Sequence, residues 1–543
     1  MVSNTRTVVQ RLDACRTAAP PGVAADGRFG ARDWALFVAC AAVNLLAVGR
    51  LVAQVVAAPH HLDGASLLVL APGALAIVAF EARWFSLPLM RAPVPLDPEP
   101  GLRVAVVTTF VPAVEPVAML RRTVRALVAM DYAHDTWVLD EGDDPAVRAM
   151  CDELGARHFT RHGVERYHQP SGPFETRCKH GNYNAWLDAV GYDGYEVIVG
   201  FDPDHIPKPE FLERTLGYLT DERIGYVQAP QLYYNQPAGW IARGAAEETY
   251  AYYSSVQMTS YALGYPIVTG CHTVHRTAAL REVGGYAPHE ADDLLITVLY
   301  RAAGWEGVYV PEMLAAGLTP TDWRGYLGQQ RRWARSVLDV KLRAFRRVAG
   351  DLPVTERVVA ALHGLYYLYG VSTALGIGVL SVGLATGRRP PVLTGAVAFR
   401  ALVLWGVLTG CELFRQRFYL DRRTEWGLHL RAAFLKYAKW PYVLLACWDA
   451  RTSRAEGFAT TPKVRLPGRR LLVVPHGAVI ALVLASAAVG EWYGHRVSPL
   501  LAGPAALVVA LSAAAIASEH ADAPDPYDDT LAAARVPWSM QEP

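Results

Sequence analysis

Six long apolar stretches bracket a polar, strand-rich middle, and this layout limits what the chain can fold into more than any single motif. Trp34 to Val56 and Ser66 to Phe85 precede the middle. Val358 to Ala385, Val392 to Leu413, Leu471 to Trp492 and Leu500 to Ala517 follow it. Each is close to the roughly 20 mainly apolar residues that a bilayer-crossing helix needs, so a polytopic membrane protein of about six spans is expected. Glu81 and Arg83 fall near the end of the second stretch, where long side chains can reach the interface. Trp440 to Trp448 is a shorter apolar run that follows Lys436 and Lys439 and carries tryptophans at both ends. It reads as an interfacial helix rather than a seventh span.

The first 32 residues hold five arginines, whereas Pro59-His60-His61-Leu62-Asp63 between the first two stretches holds neither Lys nor Arg. The positive-inside rule therefore puts the amino terminus and the middle segment in the cytoplasm. No apolar core marks a cleavable signal in those residues. The expected layout is a cytoplasmic tail (1–32), spans one and two (33–90), an α/β domain (100–347) and spans three and four (354–414). An interfacial helix with a loop (424–470), spans five and six (471–518) and an acidic tail (519–543) complete it. The formal charge of +1 gives no global argument for nucleic acid. The seven cysteines show no paired spacing and read as reduced.

Within the middle segment, Val104 to Thr109, Thr136 to Leu139, Val197 to Phe201 and Tyr226 to Gln228 are short β-branched runs. Pro116 to Met130 and Asn182 to Val190 are amphipathic. Such alternation predicts a Rossmann-like, mainly parallel sheet, whose ligands sit beyond the carboxyl ends of the strands. The acidic motifs fall at those ends.

Asp202-Pro203-Asp204 ends one predicted strand, and two carboxylates so placed suit a magnesium-like ion beside a diphosphate; a solvated strand end reads the same way. Thr109 and Glu115 follow the first strand and suit a base or ribose. Asp140-Glu141-Gly142 is either an acid at the same sheet edge or a turn opening on Asp and closing on Gly. Lys179-His180-Gly181-Asn182 puts a cation and free backbone donors at a helix start, suited to a diphosphate, although Asn182 also fits a helix cap. Asp292-Asp293 offers a carboxylate for general base work, or helix capping. Gln329-Gln330-Arg331-Arg332-Trp333 offers charge for a departing diphosphate and an aromatic face for a sugar, or a basic helix lying on a membrane. His272 is either an acceptor contact or a structural histidine.

In this order the elements resemble the processive family 2 glycosyltransferases of the cellulose synthase and hyaluronan synthase type, from about residue 100 through the gating-loop-like Phe458 to Lys463. The resemblance implies a GT-A type α/β domain inserted in a polytopic α-helical membrane domain. It implies Asp140 on the nucleotide side, Lys179 and Asn182 at the diphosphate, and Asp202 and Asp204 at nucleotide and metal. Gln329, Arg332 and Trp333 match the acceptor-end motif, and Thr461 and Lys463 lie in the gating-like loop as substrate contacts. In the family the helix after the catalytic acid ends in Gly-Trp; counting back twelve residues from Trp305 makes Asp293 the base, with Asp292 as runner-up. This chain departs from the family pattern with Ala291-Asp292 before that acid, a longer Val111 to Val114 insertion after Phe110, and Thr269-Gly270-Cys271-His272-Thr273 on the acceptor side.

The implied activity is inverting transfer from a UDP-sugar, with glucose or N-acetylglucosamine as donor sugar and magnesium or manganese as the divalent cation. A growing β-linked polysaccharide is the implied acceptor, and a lipid acceptor with single transfer is the alternative. The implied location is the inner (plasma) membrane, among its lipids.

Overall fold

The β-branched runs form a seven-stranded mixed sheet. Its strands are β1 Val104–Phe110, β2 Asp135–Asp140, β3 Arg157–Phe159, β4 Val197–Phe201, β5 Ile224–Gln228, β6 Thr273–Arg276 and β7 Glu306–Tyr309, in the order β7-β5-β6-β4-β1-β2-β3. The computed structural model that shows this describes residues 23–57, 63–112, 114–452, 470–519 and 528–536. Every position of β1, β4 and β5 is buried, as expected of central strands covered on both faces. Val104, Val106, Val197 and Val199 face a core completed by Phe211, Leu212 and Leu216. Ala105, Val107 and Ile198 face the opposite core with Tyr183, Trp186, Ile296 and Tyr300. The period-two alternation of a strand thus divides one apolar run between two layers.

β6 departs from the parallel pattern. It runs antiparallel to both β4 and β5, pairing Thr273 with Gly200 and Arg276 with Val197. Reversal brings its amino-terminal end to the edge where β1, β2 and β4 end, so the loop Thr269 to His272 lies beside Asp202. The backbone N–H of His272 donates to the Gly200 carbonyl at 2.9 Å.

Among the described residues, six helices are long and apolar enough to cross a membrane: Ala31–Val56, Gly64–Leu89, Val354–Thr386, Gly395–Phe418, Val473–Trp492 and Pro499–Glu519. Leu46, Phe399, Leu402 and Trp405 are exposed on them, as on helices whose outer faces meet lipid. The third is interrupted at Gly364, which has φ +78°. Its first turns are tied to the α/β domain, where Arg301 donates to both carboxylate oxygens of Glu356 at 2.8 and 2.6 Å.

The short apolar run lies in the helix Trp440–Thr452, preceded by Leu430–Ala438. Its 13 described residues extend about 20 Å, and it is not among the six helices long and apolar enough to cross a membrane. Val443, Ala446 and Ala450 are buried on it, while Leu445 and Trp448 are exposed. At the end of the sixth span the Glu519 carboxylate accepts from the backbone N–H groups of Leu471, Leu472 and Val473, capping the fifth. The expected acidic tail includes a short helix, Asp529–Arg535, whose Ala532, with Val536 just beyond it, is buried against Met119, Ile206, Tyr234 and Leu318 of the α/β domain.

Candidate active site

Parallel registry places β1, β2 and β4 in step: Phe110 pairs with Asp140, and Thr108 with Phe201. Their carboxyl ends therefore form one rim, and the sheet order turns at β1, the crevice where α/β sheets hold ligands. Asp202 sits on this rim. Its Oδ1 accepts from Lys179 Nζ at 2.5 Å, and the same ammonium donates to the Gly270 carbonyl at 2.7 Å. Burial alone would lower the Lys179 pKa; the charge of Asp202, reinforced by Asp292, holds it well above the ordinary lysine value. Lys179 is thus a fixed cation.

Asp204 is almost fully buried, and its Oδ2 accepts from the Leu318 backbone N–H at 3.2 Å. The rest of the motif is braced from behind. The Thr123 hydroxyl donates to the Pro203 carbonyl at 2.8 Å, and the Asp202 N–H meets Cys271 Sγ at 3.2 Å. His205 and His272 share a 2.8 Å ring contact, and His272 Nδ1 lies 2.9 Å from the Pro230 carbonyl. That arrangement holds His272 at φ +57° and makes it structural. Two buried-to-half-buried carboxylates at one strand end form an all-oxygen donor set that fits a hard divalent cation.

Next to Gly270, the helix Asp292–Ala302 opens with two aspartates. Asp293 Oδ1 accepts from the Leu294 N–H at 2.7 Å. Its other oxygen packs against Gly270, where an added Cβ would lie 3.4 Å from it and where φ is +76°. Burial, and then the charge of Asp292, raises the Asp293 pKa from 3.8 to about 7. Burial raises Asp292 as well, opposed by Lys179. Gly270 therefore joins the two halves: its carbonyl holds Lys179 and its α-carbon faces Asp293.

The remaining predicted residues separate into two groups. Arg332 is half-buried, and burial lowers its pKa against the opposing charges of Glu290 and Asp202; Trp333 packs beside Tyr367 and Val337. Other residues are engaged within the chain. Asp140 is fully buried, accepting from the Gly142 and Asp144 N–H groups and lying 3.2 Å from His158 Nε2. Glu115 folds back to accept from the Val111 N–H at 2.7 Å, and Thr109 is buried in β1. Asn182 is inside the helix Lys179–Trp186 and donates to the Leu139 carbonyl at 3.1 Å, so it does not cap that helix. Gln329 is half-buried. Thr461 and Lys463 lie outside the described residues.

Residues 103–336 match the family model described as glycosyltransferase like family 2. They form a family 2 glycosyltransferase domain. Cellulose synthase 1 of Komagataeibacter xylinus is 29% identical over 266 residues, covering 47% of this chain and 16% of that protein. The UDP-forming cellulose synthase catalytic subunit of Xanthomonas axonopodis pv. citri is 28% identical over 302 residues, covering 54% of this chain and 39% of its own. The matched regions span less than half the length of these relatives. A mannosyltransferase of Pyrobaculum calidifontis, solved with GDP-mannose and Mn2+, superposes with a TM-score of 0.52 at 15% identity, covering 72% of this chain and 99% of its own. At that identity the likeness is one of fold, the GT-A arrangement.

Several residues of the glycosyltransferase domain's site were given no role of their own from the sequence. Gly270 and Cys271 acquire their contacts only through the reversed strand β6. Glu290 pairs with Arg335, one turn beyond Arg331. Gln330, rather than its neighbour Gln329, enters a buried network in which Lys439 Nζ donates to Gln330 at 2.6 Å and to Glu248 at 2.7 and 2.8 Å. The Tyr326 hydroxyl also donates to Glu248 at 2.7 Å. A lysine beside an apolar run was the one visible signal for this network.

Proposed function

We propose that the chain is a membrane-embedded inverting glycosyltransferase that moves a sugar from a UDP-sugar to an acceptor hydroxyl, building a β-linked polysaccharide in the manner of the cellulose synthases it resembles. The observation that carries this reading is the convergence of a half-buried carboxylate with a raised pKa, Asp293, and a fixed cation, Lys179, on opposite sides of Gly270.

In the proposed step an Asp293 carboxylate oxygen takes the proton of the acceptor hydroxyl. The freed oxygen attacks the anomeric carbon, and the bond from that carbon to the diphosphate oxygen breaks, its electron pair leaving with UDP. Attack opposite the leaving group inverts an α-linked donor to a β-linked product. Lys179 and Arg332 orient and neutralise the diphosphate through charge-assisted hydrogen bonds. Asp202 and Asp204 would hold a divalent cation, magnesium or manganese, which supplies further charge neutralisation at the diphosphate when bound. Trp333 offers an acceptor sugar its face. Six helices long and apolar enough to cross a membrane support a multi-pass protein of the inner membrane, and the arginines of the first 32 residues favour a cytoplasmic catalytic domain.

A second reading, transfer of one sugar to a lipid carrier, draws on an apolar groove between Leu67, Leu68 and Leu75 of the second span and Val371 and Leu375 of the third. Incubating purified protein with a panel of UDP-sugars separates the two. Release of UDP with β-linked chains many sugars long supports the first reading. A single sugar on lipid replaces it with the second, and absence of turnover with every donor overturns both.

A further inference from the structure

Among the described residues, two groups of cysteine and histidine lie close enough to share a ligand. His205, Cys271 and His272 brace the Asp202-Pro203-Asp204 motif from behind, so that group belongs to the site described above. The second group is Glu175, Cys178 and His180, whose ligand-type atoms all lie within 4.8 Å of one another. It flanks Lys179 on both sides.

The loop carrying this second group is built to bring the three side chains together. Arg177, between Glu175 and Cys178, has φ +58°, a left-handed conformation that a non-glycine residue adopts at a cost and that clusters at functional sites. Gly181 closes the same turn: an added Cβ would lie 2.1 Å from the Glu175 carbonyl oxygen, so no larger residue fits without moving the loop. The fully buried Arg161 pins the turn by donating to the Glu175 carbonyl at 2.9 Å and the Tyr167 carbonyl at 3.1 Å. Its charge is matched by Glu141, at 2.6 Å.

The donor geometry is close to that of a metal centre. Cys178 Sγ lies 3.3 Å from His180 Nε2, and Glu175 Oε2 lies 3.8 Å from the same nitrogen. Tetrahedral zinc bonds of about 2.0–2.3 Å give ligand-to-ligand edges of roughly 3.3–3.6 Å. Cys178 and His180 are buried, whereas the Glu175 side chain is 39% exposed, which leaves a solvent side for entry and for a fourth, water ligand. The set also differs in kind from the all-oxygen pair Asp202 and Asp204. Thiolate and imidazole select zinc over magnesium.

We infer that Glu175, Cys178 and His180 form a zinc site, separate from the cation site of Asp202 and Asp204, that fixes the backbone on either side of Lys179. Binding exchanges the Cys178 thiol proton for the metal, so one proton is released to solvent for each thiolate formed.

Metal-stripped full-length protein in detergent, titrated with Co2+ as zinc's spectroscopic stand-in, tests this without recourse to activity. One equivalent is expected to give a thiolate-to-cobalt charge-transfer band that one equivalent of Zn2+ removes. Cys178→Ser should abolish the band and Cys271→Ser should leave it. Glu175→Gln, at a half-exposed position that does not threaten folding, should weaken Co2+ binding at least about tenfold. Absence of the band in the wild type, its persistence in Cys178→Ser, its loss in Cys271→Ser or unchanged affinity in Glu175→Gln would each overturn the site.

Discussion

Asp202 and Asp293 are the same residue type, linked through Lys179 and Gly270, in opposite electrostatic company. Asp202 has an ammonium at 2.5 Å and a third of its side chain open to solvent. Asp293 is half-buried beside a second carboxylate, and its pKa rises to about 7. The difference teaches how one side chain serves two roles: a carboxylate paired with an ammonium anchors charge, whereas a half-buried, like-charge-crowded one accepts a proton near neutral pH. Gly270 links the two settings, since its carbonyl receives Lys179 and its missing Cβ admits Asp293.

Removing the base should produce the largest effect. Asp293→Asn is expected to lower kcat by roughly 10²–10⁴, measured as UDP release. Its effect on stability has a fixed sign. Because folding raises this pKa from 3.8 to about 7, the folded state binds the extra proton between those values, and the associated stability is lost as pH rises through 7. The Asn variant should therefore melt above the wild type at about pH 8 and level with it below about pH 4. An unchanged kcat would dissolve the contrast between the two aspartates. Lys179→Met should come next, leaving Asp202 without its cation and the Gly270 carbonyl without its donor. A loss of roughly 10- to 150-fold in kcat/KM for the donor is expected, carried mainly by KM, since the ammonium grips the diphosphate before the reaction. A pure kcat defect would instead place Lys179 with the base.

What the sequence showed, and what it hid, follows from the range of the interactions. The strands at Val104, Asp135, Val197 and Ile224 and the six apolar helices are set by local pattern and length, and their predicted positions agree with the structure to within a few residues. Reversal of Thr273–Arg276 is non-local, and it alone brings Thr269 to His272 beside Asp202. The polarity of Asp140 and Glu115 was visible, but not that the Gly142, Asp144 and Val111 N–H groups engage them. Asn182 looked like a cap because the helix start was read late; the helix begins at Lys179 and turns its amide toward Leu139. Gln329 and Gln330 are indistinguishable without the lysine that selects the second, 109 positions away.

The smallest expected effect sharpens the comparison most. Burial is the first cause of the raised Asp293 pKa and the charge of Asp292 is the second. In the wild type kcat/KM should rise with pH through about 7, as Asp293 loses its proton. Replacing Asp292 with Asn removes the like charge and leaves burial in place. The acid limb should therefore move to lower pH without reaching the ordinary 3.8 of a carboxyl group, while the plateau rate falls about tenfold or less. A limb that stays at 7 would show that the two carboxylates do not interact. A plateau loss larger than that of Asp293→Asn would exchange their roles, making Asp292 the base and Asp293 the neighbour that tunes it.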